Sequence, residues 1–244
     1  MELFEEYGIE FFARYAHIIS GITWIGLLYY FNFVQTPAFA AFDASSRTDA
    51  TAKLVPRAMW WFRWGAASTL AFGLLLFALG QSGDVALFDD MKSPQTMSIL
   101  AGMLFGITMF LNVWLIIHPA QNRAIANAVN VQAGQAADEG LPPIMRRAAC
   151  ASRTNTFLSI PMLFFMVATS HFYAFGAFDT SEGGKRAVWY IVILAIVALV
   201  EVNVMRSPAV GRIEAWYIDQ HKNTIIGGVI LTVILYVITE ILFG

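Results

Sequence analysis

The sequence predicts an all-α, polytopic membrane helix bundle of about six transmembrane helices, and three observations carry that reading. Of the 244 residues, 58% are hydrophobic and only 13% are charged, where soluble domains carry about 25%. The mean hydropathy is +0.61. The apolar residues are gathered into runs of roughly 20, the length that crosses a bilayer core as a helix.

Six segments qualify: 9–34, 64–81, 97–118, 156–177, 187–206 and 224–243. Between them stand residues that end membrane helices: Pro37, the "GQSGD" run at 80–84, Pro94, Pro119, "GLPP" at 140–143, "DTSEGG" at 179–184 and Pro208. No repeat, low-complexity tract or linker divides the chain, so residues 1–244 read as one integral membrane domain. The start, "MELFEEYGIEFF", is acidic where a signal peptide is basic, and the N-terminus is expected to be retained.

Orientation follows from Lys and Arg, which favour cytoplasmic loops. The first, third and fifth loops hold Arg47, Lys53, Arg57, Arg63, Arg123, Arg146, Arg147, Arg153, Arg206, Arg212 and Lys222; the second and fourth hold Lys92, Lys185 and Arg186. Both termini are therefore expected in the periplasm, with the chain multi-pass in the cell inner membrane. A net charge of −2 spreads no basic field over the chain, which excludes nucleic acid as a partner. The lone Cys150 excludes an internal disulfide and any multi-cysteine metal or iron–sulfur site. Cofactor chemistry falls to histidine.

In that orientation His17 lies about 10 Å below the outer start of helix one, at 1.5 Å per residue, and His171 lies near the outer end of helix four. Two histidines from different helices at one depth can ligate a haem iron from both sides. Glu10, Arg14, His17, Gly21, Trp24, Leu28 and Gln35 recur at three- and four-residue steps on one stripe of helix one. Gly21, one turn below His17, presents no side chain to a flat macrocycle, and Arg14, one turn above, is placed for a propionate. The expected cofactor is haem b with bis-histidine ligation, with His17 and His171 on the metal and Arg14, Gly21 and Trp24 around the ring. A hydrogen bond from His17 to a neighbouring helix, and close helix packing at Gly21, form the competing reading. His118 and His221 share the opposite, inner level, where histidines hydrate cheaply.

Glu201, Asn112, Asn203 and Glu240 are further polar groups inside spans. Such acids face the bundle interior, making Glu201 a candidate for proton handling or for a hydrogen bond to a neighbouring helix. The "MWWFRW" cluster at 59–64 reads as an aromatic belt with cationic anchors, its rival being a substrate or quinone pocket stacked on tryptophan. "PAQNRAIANAVNVQAGQAADEG" reads as a polar helix running on beyond helix three, before the double proline.

Three stretches, "HIISGITWIGLLYYFNF", "VWLIIHPAQNRAI" and "ASRTNTFLSIPMLFFMVATSHFY", together resemble the N-terminal membrane domain of bacterial membrane-bound urate oxidases (urate hydroxylases). More distantly, the His and Trp-Ile-Gly of helix one resemble the membrane-bound, haem-binding protoporphyrinogen oxidase group. The matched positions are His17, Trp24, Asn32, Trp114, Gln121, Asn122, Arg153, Asn155, Pro161 and His171; Arg153 and Asn155 are expected to cap helix four or line a second site. The resemblance implies a membrane oxidoreductase passing electrons from a small substrate, urate in that family, toward a c-type cytochrome. Full-length members carry that cytochrome as a C-terminal extension. The 244 residues contain no C-x-x-C-H, so a separate cytochrome is the expected acceptor.

The sequence thus points to a b-type haem oxidoreductase or electron-transfer protein, with no catalytic residue picked out. Its expected partners are membrane lipid and a c-type cytochrome or other respiratory-chain protein, self-association being left open. Two readings from other classes remain: a haem-free proton or anion transporter using His17, Arg14, Glu10 and Glu201, and an accessory subunit of a respiratory membrane complex.

Overall fold

The computed structural model describes residues 6–79, 81–82, 85–86, 92–171, 178–207, 216–217 and 220–244. The expected signals at Pro208 and Arg212, and the last six residues of the expected 156–177 span, lie outside them.

Helix α1 (Glu6–Tyr29) continues through a π-helical segment, π1 (Tyr30–Gln35), into α2 (Thr36–Ala41). A short polar helix, α3 (Ala44–Lys53), leads into α4 (Val55–Leu79), which is followed by a two-residue strand pair, β1 (Gln81–Ser82) and β2 (Val85–Ala86). Helix α5 (Pro94–Leu111) passes through π2 (Asn112–Ile117) into α6 (His118–Gln132) without a break. Then follow α7 (Leu141–Ala168), α8 (Gly183–Arg206) and α9 (His221–Phe243).

Local chemistry explains the starts. Ser93 caps α5 by accepting the Thr96 amide, with Pro94 in the first turn where its missing N–H costs nothing. Asp43 caps α3, accepting both the Ser45 and Ser46 amides at 2.9 Å. The Ser46 hydroxyl and amide, then Ser45, hold its carboxyl far below the usual carboxylate range. The "GLPP" run, expected to mark a loop, instead opens α7, because prolines belong in a first helical turn.

Five described helices are long and apolar enough to span a membrane: Gly8–Ala41, Val55–Leu79, Pro94–Gln132, Gly183–Arg206 and His221–Phe243. They leave large apolar side chains outward, Leu199 at 71% and Ile241 at 75% exposure among them, as lipid-facing helices must. The remaining expected segment, 156–177, begins within α7, which is more polar. Its buried face carries Thr154, Asn155, Thr156 and Ser159, all turned to protein.

Helix α7 is the hub, packing on α5, α8, α9, α6 and π2, while α1 pairs mainly with α4. Small residues set the closest approaches. A Cβ on Gly65 would stand 3.2 Å from the Trp24 amide nitrogen, so α1 and α4 meet backbone to backbone. On α7, Pro161 has no N–H to offer the Phe157 carbonyl. Gly228 of α9 lies against that oxygen, a Cβ there falling 2.8 Å from it. The core is completed by Phe62, Phe105, Phe165, Trp189 and Leu235, all essentially inaccessible.

Candidate functional site

His17 sits on the α1 face turned to α4. Its Nδ1 lies 2.8 Å from the Thr69 carbonyl oxygen, which can only accept, so Nδ1 carries the proton. Gly73, one turn further along α4, makes room for the ring, since a Cβ there would fall 2.9 Å from Cε1. No partner engages Nε2 among the described residues. His171, exposed in the turn after α7, has Nδ1 3.0 Å from the Val167 carbonyl of its own helix and 3.4 Å from Ser170 Oγ, and no partner engages Nε2 among the described residues. An Nδ1–H held by a carbonyl is the usual way a protein orients a histidine whose Nε2 binds a metal.

Counted from one contact between their helices, the two histidines fall at about the same level. The Tyr29 hydroxyl and Ser159 Oγ are 2.8 Å apart, and Asn32 Nδ2 donates to Ser152 Oγ at 2.8 Å, which fixes α1 antiparallel to α7. His17 lies twelve residues before Tyr29 and His171 twelve after Ser159, about 18 Å along each chain.

The other expected positions on α1 divide. Arg14 is bonded to Glu10 one turn away. Gly21 faces Thr69, with a Cβ there in ordinary contact at 3.8 Å. Trp24 is 3% exposed and its Nε1 lacks an acceptor. Among the described residues no group of three or more His, Cys, Asp or Glu side chains is placed to hold a metal ion. A bare ion therefore lacks a donor set here, whereas a haem iron takes its axial bonds from two side chains.

A polar seam that the sequence did not reveal as a unit runs through the opposite half of the bundle. Asn112, at the start of π2, donates from Nδ2 to Glu201 Oε1 on α8 at 2.8 Å and to Asn155 Oδ1 on α7 at 3.0 Å. Asn155 in turn donates to the Met109 carbonyl at 2.9 Å. Asn32, in π1, donates to Leu28 O as well as to Ser152. Both π segments break the i→i−4 ladder; at π1 the Asn32 side chain donates to the Leu28 carbonyl, and at π2 Asn155 of α7 donates to the Met109 carbonyl. Asn155 is thus mid-helix and fully buried, not a helix cap as expected, because α7 begins well before the assumed boundary.

Beside the seam, Arg63 of α4 meets π2 and α6. Its Nη1 lies 3.0 Å from His118 Nε2, and its guanidinium carbon lies 5.2 Å and 5.3 Å from the ring centroids of Trp64 and Trp114. Among the described residues Arg63 Nε and Trp114 Nε1 are buried donors without acceptors, a state that ordinarily costs about 1–3 kcal/mol per group. His118, expected as a hydrated terminal residue, is therefore built into an aromatic and cationic cluster. Trp60 and Trp61 stay exposed and belong to the interfacial belt. His221 is exposed at the first position of α9, near Phe33. Glu240 is bonded to Tyr236, and Asn203 donates to the Tyr217 hydroxyl at 2.8 Å.

No curated protein and no solved structure matches this chain. One family does: urate oxidase N-terminal, over residues 84–239. The match takes in Trp114, Asn155, His171 and Glu201, and leaves His17 and Arg63 outside it. Covering more than half of the chain, it shows that this helical membrane protein belongs to the urate oxidase N-terminal family.

Proposed function

We propose that this chain is a membrane oxidoreductase that holds a b-type haem between His17 and His171 and takes part in urate oxidation, with a c-type cytochrome as electron acceptor. The reading rests on two histidines at matching residue counts from the Tyr29–Ser159 contact, each with Nδ1 on a carbonyl and Nε2 unengaged among the described residues. Family membership supports urate as the substrate.

When bound, such a haem supplies one-electron exchange between ferric and ferrous iron. The protein's part is orientation. Thr69 and Val167 fix the tautomer and direction of the two rings, and Gly73 keeps α4 clear of the first. Arg14, steadied by Glu10, is the propionate partner, and Gly21 and Trp24 line the same stripe. The exposed apolar flanks keep water away from the bundle. In this reading the chain lies in the inner membrane with its Arg-rich face to the cytoplasm.

Proton handling by Glu201 is the second reading, favoured by its contact with buried Asn112. The separating experiment adds urate and a soluble c-type cytochrome to the purified protein and follows cytochrome reduction. Urate-dependent reduction by wild type, lost in His17→Ala, supports the oxidoreductase. No reduction above a protein-free control contradicts it.

A further inference from the structure

Arg63 carries a charge that no described residue neutralises. It forms no ion pair with any described carboxylate, and its one hydrogen bond goes to His118. A guanidinium only donates, so His118 Nε2 accepts and the imidazole is neutral. The Arg63 guanidinium carbon lies over the Trp64 and Trp114 rings, which stand at 85° to each other. Bonding Nη1 to His118 leaves the opposite edge, formed by Nε and Nη2, which is the fork that grips two neighbouring acceptor atoms. Nε is buried and unpartnered, and so is Nε1 of Trp114, the ring against which Arg63 lies.

Two donors and a cation unanswered among the described residues, with the Trp64, Trp114 and His118 rings around them, call for a flat anion with adjacent acceptors on one edge. We infer that the Arg63–His118–Trp114 cluster is a binding site for a small planar oxo-anion, of which the urate anion is the family-relevant example. The site lies six residues along α4 from Thr69, about 9 Å from the carbonyl that holds His17. The choice of urate as probe rests on the oxidoreductase reading, but the site itself does not.

Binding is read by equilibrium dialysis of the detergent-purified full chain with radiolabelled urate, independently of haem content. Inorganic phosphate is the competitor standing for a lipid headgroup, and hypoxanthine is the uncharged flat control. Wild type is expected to bind urate and to discriminate against both. Arg63→Gln should weaken binding by about 10- to 100-fold, the worth of a charge-assisted pair. Arg63→Lys, which keeps charge but not the fork, should weaken it nearly as much, and Trp114→Phe should weaken it less. Monodisperse elution of each variant checks folding. Absence of urate binding by wild type, equal binding by Arg63→Lys, or phosphate competing as well as urate overturns the proposal. A haem-free protein that still binds urate through Arg63 would sink the cofactor reading and leave this one standing.

Discussion

The hydroxyl of Tyr29 and Oγ of Ser159 lie 2.8 Å apart and tie α1 to α7. Ser159 also donates to the Thr156 carbonyl at 2.7 Å, so the Tyr29 hydroxyl is the donor between the two. Tyr29→Phe removes that donor without orphaning Ser159. It is expected to lower stability by about 0.6 kcal/mol, the average for interhelical hydrogen bonds in membranes, as read by unfolding in mixed micelles. A cost of several kcal/mol would mean that the bond does more than align two helices.

The seam at Asn112 should be far more sensitive. Asn112→Leu strands the Glu201 carboxylate and Asn155 together, because one amide serves both. Losing a buried partner of this kind costs about 1–3 kcal/mol per unsatisfied group. The double variant Asn112→Leu with Glu201→Leu should recover part of the loss, which a double-mutant cycle measures.

Gly228 tests the helix contact at the proline. In Gly228→Ala the new methyl meets the Phe157 carbonyl at 2.8 Å, and neither backbone can yield cheaply. A loss of about 1–3 kcal/mol is expected, measured by the same unfolding assay. An unchanged midpoint would show α9 free to slide on α7.

Between α6 and α7, Arg123 grips Asp138 through two bonds, Nη2 to Oδ1 at 2.9 Å among them, and Asp138 Oδ1 also accepts the Gly140 amide at 2.9 Å. The Arg123 contact holds the Asp138 carboxyl below its ordinary value of 3.8. A depressed folded pKa means the contribution is complete above that value and is lost as pH falls through the lower, folded one. Protection of the Gly140 amide from hydrogen exchange should therefore persist down to about pH 4 and fall below it. Asp138→Asn should abolish that pH dependence.

Apolar run length made five of the six expected spans legible as long helices among the described residues, because lipid demands unbroken apolar runs and tolerates little else. The polar helix beyond helix three, with Asn122 on it, was legible for the opposite reason. Boundaries were less so: Pro142 and Pro143 stop a helix or start one, and only the residues after them decide. The π segments left no readable mark, since one extra residue per turn shifts the pattern less than ordinary variation does. Asn32 and Asn112 therefore looked like separate buried amides. The sequence placed His17 and His171 at one level, and the Tyr29–Ser159 contact supports that level from the packing. Arg63 was read as one more interfacial cation, because nothing in "MWWFRW" says that the arginine turns inward while Trp60 and Trp61 turn out.

Gly73→Ala offers a variant that replaces no proposed ligand. Its methyl would stand 2.9 Å from His17 Cε1, forcing the ring off the Thr69 carbonyl. Any absorbance that depends on His17 should shift or vanish while the helical circular dichroism stays as in wild type. An unaltered spectrum would show that the His17 ring has slack.

The most direct test is the reduced-minus-oxidised absorbance spectrum of the detergent-purified protein, compared among wild type, His17→Ala and His171→Ala after expression with added haem precursor. The account predicts a sharp b-type α-band in wild type and its loss in both variants. A colourless wild type, or a band that survives both substitutions, would contradict it.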